Sequence, residues 1–369
     1  MDDRTLAART ERVRARMAAL EVDVLLLSLG ADLPWLTGYQ AMPLERLTML
    51  VLAVDGDATL VVPRLEAPRV EPHPDLFGIR AWDESDDPVA LVADLAGHRA
   101  GGRMAVSDRT WATFVLRLQD ALPNCSWLSS SLVTSPLRAI KDPAEIDALR
   151  RASAAADRVA AQLVGGDIAL VGRTEAEVSR DIGDRLLAEG HQRVNFAIVG
   201  SGPNSASPHH EPGRRVIGRD EAVVCDFGGT LDDYCSDITR TVFTGTPPAG
   251  FRTLYDVLEE AQARAVEAAT VGTPCHDVDL VARAAIDGAG YGQYFVHRTG
   301  HGIGLEEHED PYIAGGNALP LAHGHAFSIE PGIYVPGRYG ARIEDIVVAT
   351  EAGPESLNRV DHSLALLDC

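Results

Sequence analysis

Hydrophobic positions in the first third of the chain come in short runs separated by helical patterns. Val22-Asp-Val-Leu-Leu-Leu, Leu47 to Val54 and Ala58 to Val62 are apolar stretches of strand length. Their alternation with helical periodicity predicts an α/β domain. Asp83-Glu-Ser-Asp-Asp-Pro88 and Gly97-His-Arg-Ala-Gly-Gly102 are acidic or turn-rich and read as surface loops between its elements. Near residue 136 the pattern changes. Ser135-Pro136 leads through Lys141-Asp142-Pro143 into a long helical repeat carrying Ile146, Leu149, Ala152, Ala156, Val159 and Leu163 on its apolar positions. A second helix is predicted from Thr174, where Glu177 three residues later completes a capping box, to a stop before Gly190. Strand-like segments divided by Gly and Pro follow. The boundary is therefore placed between residues 136 and 137, giving an N-terminal α/β domain over 1–136 and a second domain over 137–369.

Chain length supports that division, because 369 residues exceed the size at which a single core usually stops growing. Apolar residues at 46% and charged residues at 24% are ordinary for a globular chain. With 33 basic against 54 acidic residues the net charge is −21, which repels phosphate backbones and argues against nucleic acid as a ligand. The longest strand-like run is far short of the ~20 residues of a membrane helix. The opening residues form a charged helical pattern without the apolar centre of a signal peptide. Five cysteines, an odd number without a CxxC pair, fit a reducing compartment, so a cytoplasmic location is expected.

The candidate chemistry lies beyond residue 200. Asp226 and Asp237 sit on two strand-like runs and are symmetric about Leu231-Asp232. A two-residue hairpin there would set them directly opposite, roughly 5 Å apart at Cβ. Such a pair repels itself unless a divalent cation turns the repulsion into coordination. Alone, the two residues read as readily as a turn cap and a solvent-facing acid. A second hairpin repeats the arrangement, with Glu330 and Glu344 symmetric about Gly337 inside apolar runs where an unpaired acid is costly to bury. Between them, Phe295-Val-His297-Arg-Thr-Gly-His301-Gly-Ile-Gly-Leu-Glu-Glu-His308 places three histidines among glycines, and His209 stands on a separate loop. Four carboxylates and one imidazole match two divalent ions in charge, and oxygen-rich ligation suits Mn²⁺ or Co²⁺ at least as well as Zn²⁺.

The spacings of 11 from Asp226 to Asp237, 7 from His301 to His308 and 14 from Glu330 to Glu344 resemble those of the proline-specific peptidases of the pita-bread metallopeptidase group, the Xaa-Pro dipeptidases (prolidases) and aminopeptidases P. The likeness covers about residues 137–369, and the first third resembles the family's creatinase-like accessory domain. It implies two metal ions, Mn²⁺ first with Co²⁺ or Zn²⁺ as alternatives, held by Asp226, Asp237, His301, Glu330 and Glu344, with Asp237 and Glu344 bridging. It implies that Arg342 and Thr239 orient these ligands, that His209 and His308 contact the substrate and steady the oxyanion, and that His297 is a further active-site histidine. A hydroxide bridging the ions would attack the carbonyl before proline, and Glu330 would shuttle the proton. The resemblance also implies a homodimer. Tyr312 stands where many prolidases carry an arginine that helps engage the dipeptide carboxylate, so dipeptides and longer peptides both remain open as substrates. Two other readings stand beside this one: a metal-assisted hydrolase or lyase acting on a non-peptide substrate, and a peptide-binding module without activity.

Overall fold

A computed structural model describes residues 3–97 and 101–367 and divides the chain into compact units of Met1–Arg138 and Ala139–Cys369. Part of the loop expected over Gly97–Gly102, residues 98–100, and Cys369 lie outside the described residues. In the first unit, α1 (Asp3–Ala19), β1 (Val24–Leu27), α2 (Asp32–Thr37), β2 (Met49–Ala53), β3 (Ala58–Pro63) and β4 (Gly78–Trp82) are followed by α3 (Pro88–Ala96), β5 (Arg103–Val106), α4 (Ala112–Ala121), β6 (Ser126–Ser129) and α5 (Ser131–Ala139). Its sheet runs β4-β3-β2-β1-β5-β6, parallel at β3/β4, β1/β5 and β5/β6 and antiparallel at β1/β2 and β2/β3. The strand expected from Val22 begins two residues later, because the Val22 N–H closes the end of α1 on the Met17 carbonyl at 2.8 Å. Val24, Leu26, Met49, Val51 and Val61 pack with Val89 and Val92 of α3 and Phe114 and Leu118 of α4.

In the second unit, α6 (Pro143–Val164) and α7 (Glu175–Ala188) precede β7 (Arg193–Ser201), β8 (Glu221–Leu231), β9 (Tyr234–Cys235) and β10 (Ile238–Thr244). Then come α8 (Ala249–Ala268), α9 (Cys275–Gly288), β11 (Gly300–Gly302), β12 (Glu309–Ile313), β13 (Ala326–Ile329), β14 (Gly332–Val335), β15 (Tyr339–Arg342), β16 (Asp345–Thr350), β17 (Gly353–Ser356) and β18 (Ala365–Leu367). The sequence therefore runs twice through a helix pair followed by an antiparallel sheet. Both α6 and α7 start at capping boxes, Asp142 with Glu145 and Thr174 with Glu177, in which each partner satisfies an otherwise orphaned N–H of the first turn. The apolar stripes of α6 and α7, including Val159, Leu163, Val178 and Ile182, bury against Val223, Cys225, Phe227 and Val242 of the sheet β18-β10-β8-β7. Phe251, Leu258, Val278 and Ile286 of α8 and α9 do the same against Phe327, Ile329 and Val347 of the sheet β12-β11-β13-β16-β17. A β-bridge between Thr239 and Glu344 joins the two sheets, and the candidate site side chains gather near it. Among the described residues, no helix is long and apolar enough to cross a membrane.

Candidate metal centre and peptidase site

The first pair of carboxylates comes from the hairpin β8–β9–β10, but not in the register that symmetry about Leu231-Asp232 predicts. Leu231 pairs with Tyr234, so the turn is Asp232-Asp233, with both residues at positive φ (49° and 69°). A two-residue turn of this hand needs left-handed backbone at both positions, which Asp tolerates and Leu does not. The centre therefore moves one residue along, and Asp226 faces Thr239 rather than Asp237. Asp237 lies two residues before Thr239 and still lines the same pocket as Asp226. Gly228 makes room for this crossing: a Cβ there would lie 2.1 Å from the Ser236 carbonyl oxygen.

The second pair comes from β13–β16 and β14–β15, which share one register: Ile329 pairs with Asp345 and Gly332 with Arg342. That brackets Glu330 and Glu344 at facing positions. Their backbones are fixed to neighbouring elements, the Glu330 N–H donating to the Thr299 carbonyl at 2.8 Å and the Glu344 N–H to the Thr239 carbonyl at 3.2 Å. His301, in the middle of β11, completes the group. Gly300 beside it is required, since a Cβ would stand 1.8 Å from the Ser328 carbonyl. Ligand atoms of Asp237, His301 and Glu344 lie within 4.8 Å of one another, and all five residues line a cavity of about 550 Å³.

The electrostatics of this cluster call for a cation. Burial, reinforced by the neighbouring carboxylates, raises the pKa values of Asp237 and Glu344 well above the usual range. Burial likewise pushes Glu330 up to about 7 against the lowering influence of Arg342. Burial and then His308 depress His301 to about 3, so its ring is neutral. Its Nδ1 sits 3.1 Å from the Gly302 carbonyl, which accepts the ring proton there. The lone pair of Nε2 then faces Glu330 Oε1 at 3.3 Å and Asp237 Oδ2 at 3.7 Å, acceptor against acceptor. Asp226 Oδ1 and Asp237 Oδ1 are buried with no hydrogen-bond partner among the described residues. Convergent lone pairs on hard oxygens and one imidazole are the donor set of a divalent metal ion.

Arg342 compensates one side of the cluster. Burial opposes its charge, but Tyr334, Asp226, Glu344 and Glu330 around it hold the guanidinium protonated. It donates to Asp226 Oδ2 (2.5 Å), Thr239 Oγ1 (3.0 Å), the Tyr334 hydroxyl (2.7 Å) and the Pro208 carbonyl (3.2 Å). Thr239 in turn donates to Glu344 Oε2 at 2.6 Å. His297 is depressed to about 4, mainly by burial and then by Arg342. Its Nδ1 meets the Arg298 carbonyl at 2.7 Å and its Nε2 the Tyr334 hydroxyl at 2.9 Å. The chain Arg342 to Tyr334 to His297 is thus a run of donors ending on a neutral imidazole that also lines the cavity.

His209 and His308 are exposed at the cavity wall, with the His308 ring 4.0 Å from that of His301. Tyr312 does not reach the cavity; its ring lies under the guanidinium of Arg298, 4.5 Å away. Arg298 is the residue that the sequence reading passed over. It lines the cavity together with Phe196, Ile198, Pro208 and Glu307, and its place inside the His297–His301 run was the available signal. Tyr334 was also missed, although it lies four residues past Glu330 on the same hairpin.

Comparison with known proteins accords with this geometry. Residues 147–351 match Metallopeptidase family M24, and residues 9–140 match the creatinase/prolidase N-terminal domain. The chain is 44% identical to the probable dipeptidase PepE of Mycobacterium tuberculosis over 99% of its own length and 98% of the relative's. It is 37% identical to an Xaa-Pro dipeptidase of Lactobacillus helveticus over 94% and 95%. The crystal structure of a recombinant prolidase from Thermococcus sibiricus superposes with a TM-score of 0.94 at 35% identity, covering 100% of both chains. The chain belongs to metallopeptidase family M24 and is a metallo-exopeptidase, with a creatinase/prolidase N-terminal domain ahead of a pita-bread domain.

Proposed function

We propose that the protein is a dinuclear metal-dependent exopeptidase that hydrolyses the bond before proline, with Xaa-Pro dipeptides as its preferred substrates. The observation that carries this reading is the convergence of four carboxylates and the His301 lone pair on one cavity. Asp226, Asp237, His301, Glu330 and Glu344 would hold two divalent ions, Mn²⁺ before Co²⁺ or Zn²⁺, which when bound supply Lewis acidity and a water acidified toward neutral pH. Glu330 takes and returns the proton at its carboxylate. His209 and His308, exposed on the cavity wall, donate to the oxygen that gains charge at the scissile carbonyl. Phe196 and Ile198 offer an apolar wall to the substrate.

Preference for a dipeptide rests on Arg298. Arg342 is committed to Asp226, Thr239, Tyr334 and Pro208, whereas Arg298 stacks on Tyr312 and lines the cavity. A guanidinium there engages a free carboxylate two residues from the anchored amino terminus. Tyr312 replaces the expected arginine by supporting another one. The relatives named dipeptidase and prolidase agree with this choice. Cys125, Cys225, Cys235 and Cys275 are free, which suits the cytoplasm, and the family resemblance implies a homodimer. The test compares Xaa-Pro with Xaa-Pro-Yaa peptides in metal-stripped and Mn²⁺-reconstituted protein. Hydrolysis of the dipeptide only after reconstitution is expected; a stripped enzyme of full activity, or equal rates on both lengths, overturns the reading.

A further inference from the structure

A fully buried acid lies behind the pocket and is used by none of the steps above. Glu175 is 0% exposed and occupies the first residue of α7. That helix is already capped by Thr174 and Glu177, so the Glu175 carboxylate is not needed there and turns onto the segment between β7 and β8. Its Oε1 accepts from the Ser201 N–H (2.9 Å), the Ser201 hydroxyl (2.7 Å) and the Asn204 amide (3.0 Å). Its Oε2 accepts from the Asn204 amide (3.1 Å), His210 Nε2 (2.8 Å) and the Gly213 N–H (3.4 Å). Donors spread from residue 201 to residue 213 therefore close onto a single carboxylate. Burying such a charge is tolerated only when its lone pairs are filled in this way.

The segment gathered by Glu175 carries one wall of the active site. Pro208 and His209 line the cavity, and His210, the next residue, is the one bonded to Glu175. On the opposite side the segment is tied to the catalytic hairpin, the Pro208 carbonyl accepting from Arg342 and Ser205 Oγ accepting from the Gly340 N–H at 2.8 Å. His209 itself is exposed, so its position is set by the neighbours that are held. We propose that Glu175 is a positioning residue: by clamping residues 201–213 it fixes His209 against the scissile carbonyl. The inference rests on the peptidase reading of the pocket and extends it to a residue without contact to substrate or ligands.

The test is a double-mutant cycle on the full, Mn²⁺-reconstituted chain with an Xaa-Pro dipeptide. Glu175→Gln keeps the shape but turns an amide donor toward N–H donors. It is expected to lower kcat by about 10- to 100-fold with little change in KM, as a misplacement near 1 Å does. In the His209→Ala background the same change should cost less than about threefold, because the group being positioned is gone. Equal losses in both backgrounds would overturn the proposal, since they would mean a general effect on the fold. A second readout needs no activity. Amide hydrogen exchange at Ser201 and Gly213 in the metal-free protein should accelerate in Glu175→Gln, and unchanged protection would also overturn it. If Glu175→Gln does not fold, Asn204→Ala, which removes a donor to both oxygens, takes its place in the cycle. A wild-type chain that leaves every Xaa-Pro dipeptide intact sinks the Xaa-Pro dipeptidase reading and the proposal together. A wild type that hydrolyses them while the cycle is additive sinks the positioning role alone.

Discussion

Gly228 offers the sharpest test of how the hairpin builds the proposed metal centre. In Gly228→Ala the new Cβ would sit 2.1 Å from the Ser236 carbonyl oxygen and 2.9 Å from Phe196 Cζ. Phe196 can turn aside, but Ser236 is backbone. An ordinary carbon–oxygen contact of about 3.2 Å demands that the 236–237 segment retreat by roughly 1 Å, since overpacking in a dense interior is relieved only by backbone movement. Asp237 is the next residue and moves with it. The expected cost is about 1–3 kcal/mol in the metal-free protein, together with a loss of about 10- to 100-fold in Mn²⁺ affinity, the scale seen when a ligand's support is disturbed. Calorimetric titration with Mn²⁺ measures the second, and thermal denaturation the first, at roughly 2–4 °C per kcal/mol for a unit of this size. Gly250→Ala serves as the control: its Cβ meets only the Tyr339 hydroxyl at 3.7 Å, and its Mn²⁺ affinity should equal the wild type's. Wild-type affinity and melting temperature in Gly228→Ala would refute the claim that the glycine is there to admit the Ser236 carbonyl.

Three further outcomes are expected. Glu330→Gln should lower kcat by about 10²- to 10⁴-fold while the far-ultraviolet circular dichroism stays native, and substantial residual turnover would remove Glu330 from the proton transfer. Arg298→Met should reduce kcat/KM for an Xaa-Pro dipeptide by about 10- to 150-fold, the worth of a hydrogen bond to a charged group, yet leave the Xaa-Pro amide unaffected; equal losses on both would show that Arg298 does not read the carboxylate. His325 accepts the Ala322 N–H on Nδ1 at 3.1 Å, and burial, helped by Lys141, depresses it to about 4. Its neutral ring contributes fully above the ordinary value near 6.5, and that contribution is lost as pH falls from 6.5 through 4, up to about 3 kcal/mol. Urea unfolding of His325→Gln between pH 7 and 4 should therefore show a shallower acid decline than wild type, and parallel curves would contradict it.

How far the sequence could be read depended on whether a feature was local. The α6 stripe and the Thr174–Glu177 cap were visible because side chains three and four residues apart decide them. The second carboxylate hairpin was legible because its turn lies at its centre of symmetry. The first was misplaced by one residue because the turn is chosen by which residues accept left-handed backbone, and Asp232-Asp233 outcompetes Leu231-Asp232. Arg298 and Tyr334 could not be singled out, since their roles arise from contacts with Tyr312, Arg342 and His297 that only the folded chain brings about. Glu175 was hidden in the same way: in the sequence it is one acid among several at a helix start.

The twofold run through helix pair and sheet distributes the proposed ligands unevenly. Asp226 and Asp237 belong to the first pass, while His301, Glu330 and Glu344 belong to the second. On the proposed assignment neither pass supplies the full ligand set by itself, so complete cation uptake would report that both have folded and docked. Any ion that binds only this finished state adds to its stability by mass action, making metal supply a brake on unfolding of the whole catalytic unit rather than of one hairpin.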